Sequence, residues 1–374
     1  MCRCGRSHNI IRNGLKTAKS RLDAPYLRSK WPIIGVLCVT VLIFGLRFGV
    51  PLWRRQRALN LVVQLRGLCE VRPREVGFLR AWVGGEALRL IDTVWHIDLF
   101  QSRLTDADVC QLAALTDVEF LNLDKTPLTD AGLICLQDMP NISNLGLRGT
   151  QVSDAGLAPV LAKLHRLEFL GLDETQISDA GMEWVGRLDR LKVIGLRGTR
   201  ITDAGVAHLA KLARLEVIEV GNTQVSDVGV AWLAGLTQLE VIDLSNTNIS
   251  DNALGYFDGM SRLRVLNLCE TQVTDAGLKR LRAMASIEHL NLYRTHVGDA
   301  GVAHLLRFPT LRQLNLTLTR VTDASVPALA KMTGLEELQV WETDVTDTGV
   351  GELQQALRDT NVYYTSPTKR PSKK

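Results

Sequence analysis

The sequence predicts an α/β solenoid: short strand-helix units stacked with a parallel strand ladder on the concave face and helices on the convex face, preceded by one transmembrane helix. Three observations predict it. An aspartate returns every 24 residues, at Asp106, Asp130, Asp154, Asp179, Asp203, Asp227, Asp251, Asp275, Asp299, Asp323 and Asp347, with a single interval of 25 between Asp154 and Asp179. Each sits in a variant of L-T-D-A-G-L, with alternating apolar residues before it and a helical apolar stripe after it. Upstream, an apolar run lies between basic flanks. A period of this length means stacked units that bury their apolar faces against neighbours, not one globular core.

Residues 1–30 hold eight Lys/Arg against Asp23 alone and read as a basic cytoplasmic tail. Pro32 to Leu46 is then fifteen residues without a charge. A helix of that length is about 22 Å long, short of a hydrocarbon core of about 30 Å. The span 31–53 is long enough if Arg47 snorkels to the far interface, with Trp31 and Trp53 at the two headgroup levels. No small-x-small cleavage site precedes Arg54, so the reading is an uncleaved single-pass anchor. The excess of cations before the span places the amino terminus in the cytoplasm and the repeats outside it. Residues 58–93 read as a capping segment over the first repeat, whose core would otherwise be open.

One unit shows the pattern. Ile194, Gly195 and Leu196 alternate in, out and in, as a half-buried strand does. Val206, Leu209 and Leu212 form a helical stripe, and Thr202-Asp203 supplies oxygens for the orphan N–H groups at the helix start. Whether hydroxyl or carboxylate caps is left open by the sequence. The extra residue between Asp154 and Asp179 falls in 157–161, where a bulge on the helical side would leave the strand spacing intact. Leu353, Leu357 and 361–364 read as the closing end, and 366–374 as a disordered basic tail.

The spacing L-x-x-L-x-L-x-x-N/C-x-L, recurring through 94–362, resembles the leucine-rich-repeat superfamily. The T-D-A-G-L form with its 24-residue period is similar to bacterial repeats allied to the ribonuclease-inhibitor-like and cysteine-containing types. It departs from the usual Asn or Cys at one position, where this chain has Thr126, Thr150, Thr175, Thr199, Thr223, Thr247, Thr271, Thr295, Thr319 and Thr343, with Ser102 in the first unit. A buried column of hydroxyls is expected to satisfy backbone groups from one repeat to the next.

The formal net charge is +4, but 1–57 and 366–374 together carry +15, leaving −11 for 58–365. An acidic body argues against nucleic acid as the main partner. Seven cysteines, an odd number scattered through the repeat register, suggest no disulfide framework. No nucleophile with its base, metal cluster or phosphate loop is recognisable, so no catalytic residue, metal or cofactor is expected, and no small-molecule substrate is evident. The repeated aspartate reads as a structural cap.

The concave face is then the candidate working surface. Its first column runs His96, Phe120, Asn144, Phe169, Val193, Val217, Val241, Val265, His289, Gln313, Glu337. Its middle is an apolar stripe that starts at Phe169. The alternation Asp124-Arg148-Asp173-Arg197 in the third column reads either as a salt-bridged ladder or as arginines offered to a partner's carboxylates. His289, Tyr293 and Trp341 read as an aromatic cluster suited to a binding hot spot. The candidate partner-binding residues are therefore Tyr293, Trp341, His289, Arg148, Arg197 and Phe169. The expected function is non-enzymatic: a membrane-anchored protein that binds a protein or an envelope polymer. The alternatives are a cytoplasm-facing adaptor that recruits substrates to an enzyme and a purely structural envelope component.

Overall fold

The computed structural model describes residues 47, 49–72, 92–281 and 284–365. The basic tail 1–30, the tail 366–374 and residues 73–91 of the capping segment lie outside the described residues. So does most of the expected membrane span 31–53. Of that span, Val50 to Trp53 open a fifteen-residue helix, α1 (Val50–Gln64), which continues through Arg54, Arg55 and Arg57. No helix among the described residues is long and apolar enough to cross a membrane.

The chain divides into two compact units at Arg57/Ala58. In the described part of the first, the Arg57 guanidinium lies 5.6 Å from the Trp53 ring centre. The second unit is the repeat body, opened by the buried residues Ala58, Leu61 and Val62 of α1. Strand β1 (Leu68–Arg72) follows and runs antiparallel to β2 (Thr93–Asp98). From β2 the order is strictly sequential: β3 (Phe120–Asn122), then one three-residue strand per repeat to β12 (Glu337–Gln339) and β13 (Asn361–Tyr363), all parallel. Such short strands hold because every second residue points into one continuous apolar core. Leu145, Leu170, Ile194, Ile218 and Ile242 pair in direct register with no measurable exposure.

After each strand the chain turns through a left-handed residue one place before the Thr/Ser column. Two of these are Gly149 and Gly198, and the others include Lys125, Asn222 and Leu318. The hydroxyl column secures this turn, but not in the way expected. Each Thr donates to the carbonyl three residues earlier in its own repeat, as Thr223 Oγ1 does to Val220 O at 2.6 Å and Thr126 Oγ1 to Leu123 O at 2.6 Å. Among the described residues no hydroxyl of this Thr column links to the next repeat. Ser102 Oγ, at the start of the column, is buried without a hydrogen-bond partner.

The links between repeats are made instead by the aspartates. Asp106 Oδ1 accepts the N–H of Thr129 at 2.9 Å and Oδ2 accepts its hydroxyl at 2.6 Å. The same pair of bonds joins Asp130 to Ser153, Asp179 to Thr202, Asp203 to Ser226 and Asp323 to Thr346. The hydroxyl that donates to the preceding aspartate also accepts from its own helix, as Thr129 Oγ1 does from Ala131 N at 3.3 Å. Capping therefore belongs to the hydroxyl and stacking to the carboxylate. At Gly298, which has no hydroxyl, Asp275 holds only the backbone N–H, at 2.6 Å.

The glycine of T-D-A-G follows from the same contact. A Cβ on Gly132, Gly156, Gly205 or Gly229 would stand 2.3–2.5 Å from Oδ1 of the preceding repeat's aspartate. Two of the repeats that follow another carry a side chain there, Ala253 and Ser325, and in both the helix opens as a 3₁₀ turn, over Ala253–Phe257 and Asp323–Ser325. The first repeat has no preceding aspartate. It places Asp108 at this position, in a capping box with Thr105. The residue inserted between Asp154 and Asp179 is absorbed by lengthening the helix Asp154–Leu161 to eight residues rather than by a bulge.

One disulfide joins adjacent repeats, Cys110 to Cys135, with Cα atoms 5.0 Å apart. This corrects the expectation drawn from the cysteine count. The two cysteines sit four and five residues after their aspartates, so they do not share a repeat position, yet neighbouring helices bring them together.

Candidate binding surface on the strand face

The three outward columns of the sheet are aligned by direct strand pairing. Phe169, Val193, Val217, Val241 and Val265 are successive register partners and all are half-buried, making one apolar stripe across five strands. Towards the carboxyl end the stripe leads into a shallow groove of about 240 Å³, lined by Val265, His289, Gln313, Glu337 and the next column's Asn267, Asn291, Asn315 and Gln339.

The asparagines have a defined orientation. Oδ1 of Asn267, Asn291 and Asn315 accepts the N–H of Cys269, Tyr293 and Thr317 respectively, at 2.9–3.1 Å. Each carboxamide oxygen is thus spent on its own strand end, and the amide N–H donors remain to line the groove. Repeated at the strand spacing of about 4.8 Å, they form a row of donors beside an apolar stripe.

Where the middle column is glycine, the third column takes over. Asp124 Oδ1 accepts the Arg148 N–H and Asp173 Oδ1 the Arg197 N–H, both at 2.8 Å. A Cβ on Gly146 or Gly195 would collide with those carboxylates, at 2.7 and 2.5 Å. The two arginine heads go elsewhere, so the alternating column is not a ladder of side-chain ion pairs. Arg148 meets Glu174 at 2.7 Å, and Arg197 reaches Asp243 at 2.7 Å, two strands on and past Gly221. Burial pushes the carboxyl groups of Asp124, Asp173 and Glu219 above their ordinary values; Asp173 and Asp243 add to the effect at Glu219. Arg148 holds Glu174 below its ordinary value through their hydrogen bond. Nearby, burial pushes the Cys269 thiol up to about 11, away from thiolate chemistry.

The expected aromatic cluster is dispersed. Trp341 packs edge-on to Tyr363, with ring centres 6.4 Å apart, at the carboxyl-terminal end of the sheet. Tyr293 lies two repeats away, with Thr317 between them. His289 is in the groove, 3.9 Å from Glu288. Of the candidate residues the structure brings Phe169 and His289 onto one continuous surface, ties Arg148 and Arg197 into ion pairs, and leaves Trp341 and Tyr293 apart. Sequence columns missed the lip of the sheet, one residue before the first column. There Glu168–Lys192, Arg264–Glu288 and Arg312–Glu336 pair across adjacent repeats.

The model of the leucine-rich repeat region matches residues 133–355. The chain belongs to the leucine-rich-repeat family. A search of curated proteins finds no match. Among solved structures, an internalin (InlF) from Listeria monocytogenes is similar, with a TM-score of 0.55 and 19% identity over 72% of this chain and 86% of that one. The TDR receptor aligns with a TM-score of 0.52 and 15% identity over 72% of this chain. The Arabidopsis receptor kinase HAESA, solved with the peptide hormone IDA and the co-receptor SERK1, gives 0.50 and 16% over 73%. This leucine-rich-repeat chain spans about half of those receptor chains, 47% and 46%. At such identities the likeness concerns the repeat fold.

Proposed function

We propose that this leucine-rich-repeat protein is a non-enzymatic binding protein whose strand face holds a polypeptide partner. The observation that carries the reading is the unspent surface there: oriented amide donors along a groove, continuous with the apolar stripe from Phe169 to Val265. Elsewhere the polar side chains that recur along the stack are committed to the fold, the Thr column to its own turn and the aspartates, the obvious candidates for acid-base work, to the next repeat. The likeness to HAESA, a receptor solved with a peptide hormone, agrees with a polypeptide as ligand. Its groove residues are His289 and Gln313, with Phe169 on the stripe, and Tyr293 and Trp341 at its margins.

In the same reading residues 31–53 anchor the chain in a membrane and the repeats lie outside the cytoplasm. The Cys110–Cys135 bond supports the second part, because disulfides persist in oxidising compartments. A reporter fused after Lys374 tests it: activity of an export-dependent reporter is expected, and activity of a cytoplasm-dependent one would contradict it and favour the adaptor role.

The binding face is tested by photocrosslinking in cells. Benzoylphenylalanine at Gln313 should give a discrete polypeptide adduct that the same probe at Glu352, in the helical layer, does not. Adducts from Glu352 alone would move the working surface to the helices, and adducts from neither position would favour the structural component.

A further inference from the structure

The helical layer carries a patch that neither the net charge nor the strand columns reveal. Five residues after the repeated aspartate, four successive repeats place Trp184, His208, Trp232 and Tyr256. Trp232 is half exposed and Tyr256 nearly so, unusual for rings of this size on a helical surface. Three residues after each ring stand Gly235 and Gly259, at the position from which Arg187 reaches the Trp184 ring.

A basic column occupies the repeats of Asp154, Asp179 and Asp203, just before those of Trp232 and Tyr256. At the end of each helix stand Lys163, Arg187 and Lys211, and three residues later Arg166, Arg190 and Arg214, all exposed. The two columns touch: the Arg187 guanidinium sits 4.2 Å from the Trp184 ring centre. Arg187 also pairs with Glu183 at 2.7 Å. Lys163, Arg190, Lys211 and Arg214 make no ion pair among the described residues, although Glu168, itself bound to Lys192, feels Arg190 and Arg214. Six cations on three adjacent repeats, with Glu168, Glu183 and Asp189 among the acids near them, stand out against a body of net charge −11.

We infer that this patch is a docking surface for an anionic lipid bilayer. Charge complementarity selects an anionic partner, since Lys and Arg side chains are drawn to a negatively charged lipid surface. The aromatics select a bilayer over a fully aqueous polyanion. Trp and Tyr rings with apolar bodies and polar edges settle at headgroup depth, and long basic side chains lie alongside with their charges at phosphate level. Trp232 and Tyr256 follow the three basic repeats on the same helical layer, and a bilayer is broad enough to meet the cations and the rings together. The surface is separate from the strand face, which stays free for its own partner.

The test is hydroxyl-radical footprinting of the full-length chain in nanodiscs, of phosphatidylcholine alone or with one third phosphatidylglycerol. Oxidation of Trp232 and Tyr256 should fall at least three-fold in the anionic discs, while Trp341 and Tyr363, on the strand side, stay unchanged. Raising the salt, or the double change Arg190→Glu with Arg214→Glu, should restore oxidation to the level in neutral discs. Equal oxidation of Trp232 and Tyr256 in both lipid compositions would overturn the inference. So would protection by soluble polyglutamate where anionic discs give none, which would assign the patch to an acidic polypeptide instead.

Discussion

At the start of each helix Ser or Thr, Asp and Gly recur almost without exception, whereas on the strand face no column keeps one residue type through the stack. The physical demands differ. A seam residue must satisfy the next repeat: Asp203 accepts from Ser226 N, Ser226 Oγ and Gly229 N together, and the glycine exists because the carboxylate needs its space. A strand-face residue has a neighbour beside it but solvent above, so its identity answers to whatever binds there. Periodic positions therefore carry stability and aperiodic ones are free to carry function.

The comparison can be broken by exchanging the two kinds of change. Asp203→Ala strands two backbone donors and a hydroxyl in a half-buried seam, and a loss of about 2–3 kcal/mol is expected in urea unfolding. Tyr293→Ala on the strand face should stay within about 0.5 kcal/mol. Similar losses at the two sites would erase the distinction.

A smaller effect is expected inside a repeat. Thr223→Val removes the bond to Val220 O and should cost about 1–2 kcal/mol. Ser102→Ala removes a hydroxyl that bonds to nothing and should be nearly neutral. Equal losses would mean the column works through shape rather than through its hydroxyls.

The smallest effect sharpens the strand face itself. Asp173→Asn keeps an oxygen for the Arg197 N–H while removing a charge that burial disfavours. Because the folded carboxyl is raised above its ordinary value, the folded state holds the proton more readily, and the ionised form costs stability above that raised value. The variant should therefore have a higher urea midpoint at pH 7. The gain should fade as the pH drops below the ordinary value of 3.8, where both states of the native chain are protonated. A lower midpoint at pH 7 would show that attraction to Arg148 and Arg197 outweighs burial.

Much of this was legible in the sequence. The 24-residue period placed the strands, and the alternation at Ile194-Gly195-Leu196 put the right residues in the core and in the columns. The direction of the aspartate bonds was not legible. Capping and stacking use the same residue types, and only the close approach of Oδ1 to the next glycine separates them. Cys110 and Cys135 were missed because their repeat positions differ by one. The partners of Arg148 and Arg197 were missed because a long side chain can pass Gly221 or turn to the loop, choices that column order does not encode. The aromatic and basic columns of the helices were not legible because a helical apolar stripe does not say which of its flanking positions stay exposed, and a net charge hides local sign.

The central claim, that aspartate and glycine of successive repeats form one fitted contact, is tested most directly by a double-mutant cycle on Asp179→Ala and Gly205→Ala. Alone, Gly205→Ala should cost about 1–3 kcal/mol because its Cβ meets Asp179 Oδ1, the one atom closer than 3 Å. With the carboxylate already removed, most of that cost should vanish, giving a coupling of at least about 1 kcal/mol in urea unfolding. If the two losses simply add, the glycine is there for its backbone alone and the fitted seam is contradicted.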